Sequence, residues 1–318
     1  MLSITSCLFA LHTGSVAITW QQLFALFGNP EPGLVQDVVM KIRLPRTGNG
    51  FVTGGMLALA GALMQVLLRN PLADPYILGI SGGAAVGALA SVALGLGTGW
   101  ITGSAFTGAL FSMLLVFGLA HGRGGWTPTR LLLTGVIVAA GWGAVIGFLL
   151  TTSPEHTTRG MLFWLMGDLS HPVHTLTGLG VLIVGMVVAV SLGRPLNVLA
   201  RGELQAAALG ISVVPLRYIV YGLASLLTAV AVTMAGSIGF VGLVVPHMLR
   251  LLGMRDHRYL LPAAILLGGT LLVVADTLAR SVLAPRQLPV GVLTAFIGVP
   301  VFLFLLNRSR KLYGQSTG

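Results

Sequence analysis

Apolar stretches long enough to cross a lipid bilayer recur along the whole of this 318-residue chain. Hydrophobic residues make up 55% of the chain and charged residues only 8%, which is too little charge for a soluble domain of this size. About 20 consecutive apolar residues form one membrane-spanning helix. The sequence therefore predicts an all-α polytopic membrane protein.

Ten spans are predicted, with boundaries uncertain by about four residues. The eighth is short and the tenth begins with Leu288-Pro289, so a broken or re-entrant helix is an alternative at either place. Both termini are expected in the cytoplasm, because the number of spans is even and the segment 307–311 is basic. The predicted spans cover residues 2–20, 49–67, 76–95, 100–120, 130–151, 173–193, 217–235, 240–253, 260–278 and 288–306.

Several kinds of function are excluded by composition. The single cysteine, Cys7, excludes an internal disulfide framework and a cysteine-rich metal site. The sequence has no Gly-Lys pair and so no Walker-type phosphate loop, which places any ATP chemistry on another polypeptide. The 18 Lys and Arg residues stand singly between apolar stretches, a pattern that favours membrane topology over nucleic-acid binding.

The segment 194–217 is a long polar interruption on the predicted cytoplasmic side. Three arginines surround its single carboxylate, Glu203. Residues 203–209 are predicted to form a short helix, because three alanines favour a helix and Gly210 would end it. Small side chains on such a helix allow another protein to approach its backbone closely. The alternative is an ordinary cytoplasmic loop.

A turn is predicted between the second and third spans, because Pro71 and Pro75 both oppose a helix there. Asn70 and Leu72 in this turn are candidates to narrow the inner end of a pore. The alternative is a tight turn with no further role.

Charged residues near two spans on the outer side call for an explanation. Lys41, Arg43 and Arg46 stand just before the second span, against the usual excess of basic residues in the cytoplasm. Asp276 and Arg280 lie one helical turn apart near the end of the ninth span. We expect these two to pair, because pairing lowers the cost of charge near the membrane.

Three weaker signals have simpler interpretations. The histidines His156, His171 and His174 of one outer loop lack a carboxylate cluster, so a metal site is less favoured than solvated side chains. The G-x-S-x-G pattern around Ser81 lacks the strand-turn-helix context of a hydrolase. His247 is expected to pack near the inner end of the eighth span, with a proton carrier as the alternative.

Several motifs in a fixed order resemble the permease subunits of bacterial ABC importers for iron-siderophores, cobalamin and haem, the FecCD family. The resemblance extends almost from end to end. Its motifs are Arg43-Leu44-Pro45-Arg46, GALMQVLLRNPLADPYILGISGGA (61–84), the loop around Glu203 and Gly210, GSIGFVGLVVPHMLRLL (236–252), ADTLAR (275–280) and LPVGVLTAFIGVPVFLFLL (288–306).

The resemblance implies the type II ABC importer architecture, with residues 1–318 as a single transmembrane permease domain of about ten helices in the bacterial inner membrane. It implies a pore formed with a second permease copy or a paralogous permease. Two ABC ATPase subunits would bind ATP and Mg beneath that pore, and a periplasmic substrate-binding protein would deliver the ligand. The chain itself would carry no cofactor, no metal and no catalytic residue, and besides these proteins it would contact only membrane lipid.

The same resemblance gives roles to particular residues. The segment 194–217 would couple the permease to the ATPase, and the matching arginines in relatives pair with glutamates of the binding protein. Pro128 stands where the family has a small hydroxyl residue. The implied assignments are ATPase coupling for Gly202, Glu203, Ala207 and Gly210, docking of the binding protein for Arg43, Arg46 and Arg280, one inner gate for Asn70 and Leu72, and a second gate for Thr127, Pro128 and Thr129.

The implied function is import from periplasm to cytoplasm by alternating access, driven by ATP hydrolysis on the partner. An iron-siderophore is the first expected substrate, ahead of cobalamin, haem and oxyanions. The runner-up is a secondary transporter that acts without an ATPase. Such a transporter would need titratable residues near the middle of its spans, and the predicted spans have none there.

Overall fold

The computed structural model describes residues 1–14, 16–28, 33–121, 127–170, 175–284 and 286–313, with side chains described as far as residue 305. Helices and turns make up this part of the chain, and it contains no strand. The α-helices are α1 (Leu2–His12), α2 (Trp20–Gly28), α3 (Leu34–Asp37), α4 (Leu44–Leu67), α5 (Ile80–Ala93), α6 (Thr98–Ala120), α7 (Pro128–Thr152), α8 (Glu155–Leu165), α9 (Thr175–Ser191), α10 (Gly193–Leu199), α11 (Glu203–Ala208), α12 (Val213–Ala235), α13 (Val241–Leu251), α14 (His257–Ser281) and α15 (Val290–Tyr313).

Each predicted span has a helical counterpart in the same order, so the expected all-α membrane fold is confirmed. Within the described residues, five helices are long and apolar enough to cross a membrane: Leu34–Leu67, Thr98–Ala120, Pro128–Thr152, Val213–Ala235 and His257–Ser281. A sixth candidate is the pair α9 and α10, which are bent by 60° relative to each other. The remaining counterparts are shorter apolar helices: α1, α5, α13 and residues 290–305 of α15.

Helix α4 is the central element of the molecule, and its apolar segment is almost entirely buried. It packs against α9, α12, α13 and α14. Glycines make these close contacts feasible: a methyl group at Gly61 would overlap the carbonyl oxygen of Gly242 in α13, and one at Gly54 would overlap that of Gly268 in α14. Close backbone approach of this kind is how helices associate where lipid provides no hydrophobic drive.

The contact between α4 and α13 also satisfies a backbone group that a proline leaves unpaired. Pro246 lies inside α13 and has no N–H to donate to the carbonyl of Gly242. The side-chain amide of Gln65 in α4 donates to the carbonyls of Gly242 and Leu243 instead, over 3.4 and 3.1 Å. Arg250 in turn donates to Oε1 of Gln65.

Two predicted boundaries were wrong at the N-terminal end. The first helix ends at His12, not near residue 20, and the second span begins fifteen residues before Asn49, at Leu34, through α3 and a π-helical turn (Val38–Arg43). Arg43 explains the first difference. Its guanidinium donates hydrogen bonds to the carbonyl oxygens of Leu11 and His12. In a longer helix these oxygens would accept from backbone N–H groups of the next turn.

Glycine pairs four residues apart occur in several helices, but not all of them pack against another helix of the described residues. A methyl group at Gly83 or Gly87 would overlap carbonyl oxygens of α6, as expected for close helix contacts. By contrast, Gly143 and Gly147 of α7 face open space, and α7 is mostly exposed. One long apolar helix therefore presents a glycine-containing face that none of the described residues covers.

Candidate functional site

The predicted coupling loop does form a short helix at one end of the bundle, beyond the C-terminus of α4. Helix α11 begins at Glu203 and ends before Gly210, which has the left-handed backbone (φ 79°) that favours glycine at a helix end. Gly202, just before the helix, has a φ of 139°, also in the positive region. Ala206 points inward, whereas Leu204 and Leu209 are 89% and 71% exposed.

Helix α11 therefore presents apolar and small side chains outward. Ala207 and Gly210 both lie on its exposed surface. Large exposed leucines on a short helix are a recognised form of protein-binding surface. All four residues predicted for coupling, Gly202 included, lie in or directly beside this element.

Glu203 ties α11 to two other parts of the chain. Its Oε1 forms an ion pair with Nη2 of Arg217, at the start of α12. The same oxygen lies 3.3 Å from Nη2 of Arg69, in the turn after α4. Sequence reasoning singled out Glu203 and missed these partners. The only available signal was that a lone carboxylate among arginines must have a cationic partner, without saying which one.

The turn after α4 carries the first predicted gate. Asn70 Oδ1 accepts a hydrogen bond of 2.9 Å from the N–H of Leu72, so the amide side chain shapes the turn. Leu72 itself is exposed. Asp74 accepts from the N–H of Tyr76 over 2.8 Å and starts a 3-10 turn, Pro75–Leu78, that leads into α5.

The second predicted gate lies across a cleft from the ion pairs of Glu203. Thr127 caps α7 by accepting from the N–H of Arg130 over 3.3 Å, and Pro128 occupies the first position of the helix, which suits a proline. The cleft has a volume of about 660 Å³. Its lining residues are Leu68, Arg69, Thr127, Pro128, Thr129, Glu203 and Arg217. Helix α11 and the second predicted gate segment thus line the same cleft.

An open apolar cavity of about 610 Å³ lies where α8, α15 and the segment between α12 and α13 meet. The N–H groups of Val290 and Gly291, at the start of α15, donate to the carbonyls of Gly167 and Met166 over 3.1 and 3.0 Å. Sequence reasoning missed this cavity, because periodicity in helices that are apolar all round does not reveal an inward face. Its walls include Leu165, Met166, Ser237, Gly291, Phe296 and Pro300.

The three predicted docking arginines lie together at the opposite end of α4, but they are buried. Arg43, Arg46 and Arg280 are 3%, 7% and 9% exposed. Arg43 donates to the carbonyls of Leu11, His12 and Val16 over 2.5–2.8 Å. Arg43 and Arg46, which the sequence places just before the second span, therefore lie within the helix that forms this span, and Arg43 contacts the end of α1.

Asp276 is the centre of this arginine group. Arg46 donates to both of its oxygens over 2.8–3.1 Å and to Gln287 over 2.9 Å. The predicted pairing of Asp276 with Arg280 is confirmed, with Nε of Arg280 3.7 Å from Oδ2. Arg280 also donates to the carbonyl of Ala10. All three arginines line a cavity of about 140 Å³, which carries more positive than negative charge.

The weaker candidates have ordinary surroundings. Ser81 donates to the hydroxyl of Ser237 over 2.8 Å, where a hydrolase nucleophile would contact a histidine. His247 is buried as expected, 6.2 Å between ring centroids from Phe302. His171 and His174 lie outside the described residues. Within the described ranges, no group of three or more His, Cys, Asp or Glu side chains could hold a metal ion.

Comparison with known proteins gives a match along nearly the whole chain. The family model described as the FecCD transport family matches residues 2–308. The cobalamin import system permease protein BtuC of Halobacterium salinarum is 42% identical over 315 residues, which cover 96% of this chain and 84% of that protein. The vitamin B12 import system permease protein BtuC of Salmonella paratyphi A is 40% identical over 277 residues, 86% of this chain and 84% of the relative.

A solved structure has the same fold over almost its full length. It is an inward-facing conformation of a metal-chelate type ABC transporter, with a TM-score of 0.86 and 30% sequence identity. The alignment covers 96% of each of the two chains.

Proposed function

This chain belongs to the FecCD transport family, and from that membership we propose that it is the permease subunit of an ATP-driven ABC importer in the bacterial inner membrane. The observation that carries the proposal is the match over residues 2–308, which leaves little of the chain for another activity. The chain moves its substrate from periplasm to cytoplasm by alternating access and does no chemistry of its own.

Helix α11 is the proposed contact with the ATPase. Its exposed Leu204 and Leu209 suit insertion into a cleft of another protein, and Gly202, Ala207 and Gly210 let that protein approach the backbone. ATP and Mg bind to that partner. Both termini are proposed to lie on the same side as α11, in the cytoplasm.

The proposed gates are Asn70 with Leu72 and Thr127 with Pro128 and Thr129. Support comes from their position at the α11 end of the bundle, beside the ion pairs of Glu203. The uncovered face of α7, with Gly143 and Gly147, is the proposed contact with a second permease copy or a paralogous permease.

A periplasmic binding protein is proposed to dock at the opposite end, where Arg43, Arg46 and Arg280 line their shared cavity. The guanidinium groups are engaged with Asp276 and with carbonyl oxygens of the same chain. Carboxylates of the binding protein must therefore share or replace these partners. Docking would then change the hydrogen bonds of α1, because Arg43 and Arg280 both hold its last carbonyls.

Cobalamin is the proposed substrate, with an iron-siderophore or another metal chelate as the second candidate. The sequence had put an iron-siderophore first. Cobalamin takes its place because the two BtuC relatives are named for cobalamin or vitamin B12 import. The metal-chelate type transporter of the same fold supports the second candidate.

The test starts with purification of the tagged chain from membranes in mild detergent and identification of the proteins that accompany it. We expect an ABC ATPase subunit. The complex, reconstituted in vesicles with its binding protein, should take up radiolabelled cyanocobalamin when Mg-ATP is supplied on the α11 side. Uptake of a ferric siderophore in place of cyanocobalamin would change the substrate and leave the importer class intact.

The secondary transporter gives the opposite result. The chain alone would then move its substrate in vesicles without ATP, and no ATPase would accompany it through purification. That outcome would overturn the proposed function.

A further inference from the structure

We propose that Arg69 is a positioning residue that connects the coupling helix α11 to the inner gate. The connection passes from Glu203, the first residue of α11, through its ion pair to Arg69, the residue directly before Asn70. The proposal rests on the proposed function, because it explains how movement of α11 by an ATPase reaches the turn that carries the gate.

The backbone of Arg69 makes this residue a firm point of attachment. Its N–H donates to Val66 over 3.2 Å, and the N–H of Asn70 donates to Gln65 over 3.1 Å, a pair of bonds that closes the end of α4. A displacement of the Arg69 side chain therefore moves the last turn of α4 and Asn70 together.

Arg69 also occupies a position where glycine is the usual residue. Its φ is 48°, in the left-handed region that is unfavourable for residues with a Cβ atom. Three other helix ends in the described part of the chain are closed by the same pair of bonds, and each has glycine there: Gly95, Gly210 and Gly253. At the helix end that faces α11, the chain has a long cationic side chain instead, in spite of the backbone strain.

Because Glu203 also pairs with Arg217, a substitution of Arg69 can remove this connection without detaching α11 from α12. Arg217 holds the same carboxylate from the start of α12. Loss of Arg69 therefore leaves α11 attached to α12 and removes only its attachment to the gate turn. Loss of the Glu203 carboxylate removes both attachments.

Stability alone does not account for the Arg69 pair. The side chains of Arg69 and Glu203 are 46% and 29% exposed, and an ion pair at such exposure contributes little to folding. The pair of Arg258 and Asp256 has nearly the same exposure, 44% and 30%, but it joins residues two apart at the start of α14. It is a matched control, an equally exposed ion pair within one helix start. Arg258→Ala leaves in place the hydrogen bond of 2.8 Å by which Asn197 of α10 holds Asp256.

The test compares variants of the whole importer complex in vesicles, with cyanocobalamin uptake and ATP hydrolysis measured together. Arg69→Ala should raise the ATP hydrolysed per molecule transported by roughly 2–30-fold, the range for residues that connect two sites. Arg69→Lys should restore most of the coupling, because it keeps the charge. Arg258→Ala should leave the ratio unchanged. Equal ratios for Arg69→Ala and Arg258→Ala would overturn the proposal.

A second measurement does not depend on transport and so separates this proposal from the proposed function. Amide hydrogen exchange is followed in the purified complex for residues 70–73 and 203–211. Glu203→Gln should speed exchange in both segments, and Arg69→Ala in the 70–73 turn alone. If Glu203→Gln leaves the 70–73 turn unchanged, α11 and the turn are not connected, whatever the substrate proves to be.

Discussion

Arg46 and Asp276 illustrate how this chain keeps charge inside a membrane protein. Both are almost fully buried, and three donor–acceptor contacts of 2.8–3.1 Å join them. A buried charge that loses its partner is costly, because neither water nor another group replaces that partner. Arg280 remains near Asp276, at 3.7 Å, and compensates only in part.

We therefore expect Arg46→Ala to lower the free energy of unfolding by about 3–5 kcal/mol. Denaturant unfolding in detergent measures this change. Lys41→Ala is the control, because Lys41 pairs with Asp37 at 2.7 Å but both side chains are largely exposed. Its effect should stay below about 1 kcal/mol. Similar losses for the two variants would contradict the account of the buried pair.

We expect the stability of the fold to depend on pH through Asp74. This residue lies at the opposite end of α4 from Arg46, outside the membrane-spanning segments. Burial raises the pKa of its carboxyl group from 3.8 to about 6, and the hydrogen bond from the N–H of Tyr76 opposes that shift. The folded state then binds a proton more tightly than the unfolded state. Its contribution to stability is therefore complete below about pH 4 and is lost as the pH rises through about 6.

The variant Asp74→Asn should remove this dependence, because its side-chain oxygen still accepts from Tyr76 and carries no charge. One pKa unit corresponds to about 1.4 kcal/mol, so wild type should lose about 2–3 kcal/mol relative to the variant between about pH 4 and pH 8. Melting temperatures of both proteins across that range provide the comparison. Parallel curves would mean that Asp74 does not titrate in this way.

The residue pairs differ in how far sequence could predict them. Asp276 and Arg280 are four residues apart on one helix, so their pairing follows from helical geometry. Arg46 lies 230 residues from Asp276, and no pattern in the sequence connects them. The same holds for Arg69 and Glu203. Arg69 follows α4, and Glu203 is held at the start of α12 by Arg217, so the two meet because α4 and α12 pack side by side.

At the scale of helices, positions and order were predictable and some ends were not. Apolar length alone located a helix for every span, because in lipid each stretch must pair its own backbone N–H and C=O groups by hydrogen bonds. The end of α1 depends on Arg43, whose side chain comes from the next long helix and donates to the last carbonyls of α1. Local sequence carries no information about such a partner.

Close contact between α4 and α13 depends on Gly61. We expect Gly61→Ala to destabilise the fold by about 1–3 kcal/mol or more, because the added methyl group would overlap the carbonyl of Gly242 and push the helices apart. Gly180→Ala in α9 is the control, since Gly180 has no neighbour within 4 Å and lies away from the proposed contact on α7. That change should be neutral or stabilising by up to about 1 kcal/mol, the helix preference of alanine over glycine. Thermal unfolding in detergent distinguishes the opposite signs.

At the scale of the whole molecule, the bundle is well packed around α4 and open along α7. The apolar segment of α7 is only 17% buried, the lowest share among the five long candidate spans of the described residues. If a second permease copy covers this face, Gly143→Trp should lower the dimer fraction in mild detergent. Gly180→Trp on α9, which also faces open space, should leave that fraction unchanged.

Mass measurement of the detergent-solubilised protein, together with chemical cross-linking, gives both fractions. An unchanged dimer with Gly143→Trp would place the contact on another face. Gly143 and Gly147 are four residues apart, a spacing typical of close helix contacts, but such a spacing does not distinguish a contact within the chain from a contact between chains, because both need the same small residues.

The arginines that hold α1 also have a consequence for biosynthesis. Arg280 donates to the carbonyl of Ala10, and Thr270 donates to the hydroxyl of Ser3, so the first helix is fastened by residues about 270 positions later. At about 5–20 residues per second, a ribosome needs roughly 15–50 seconds to reach them. For that time α1 has Arg43 as a partner but lacks its contacts with α14. A nascent chain truncated before α14 should therefore leave α1 open to proteases and quality-control factors. Helix α1 reaches its final packing only after α14 has been made.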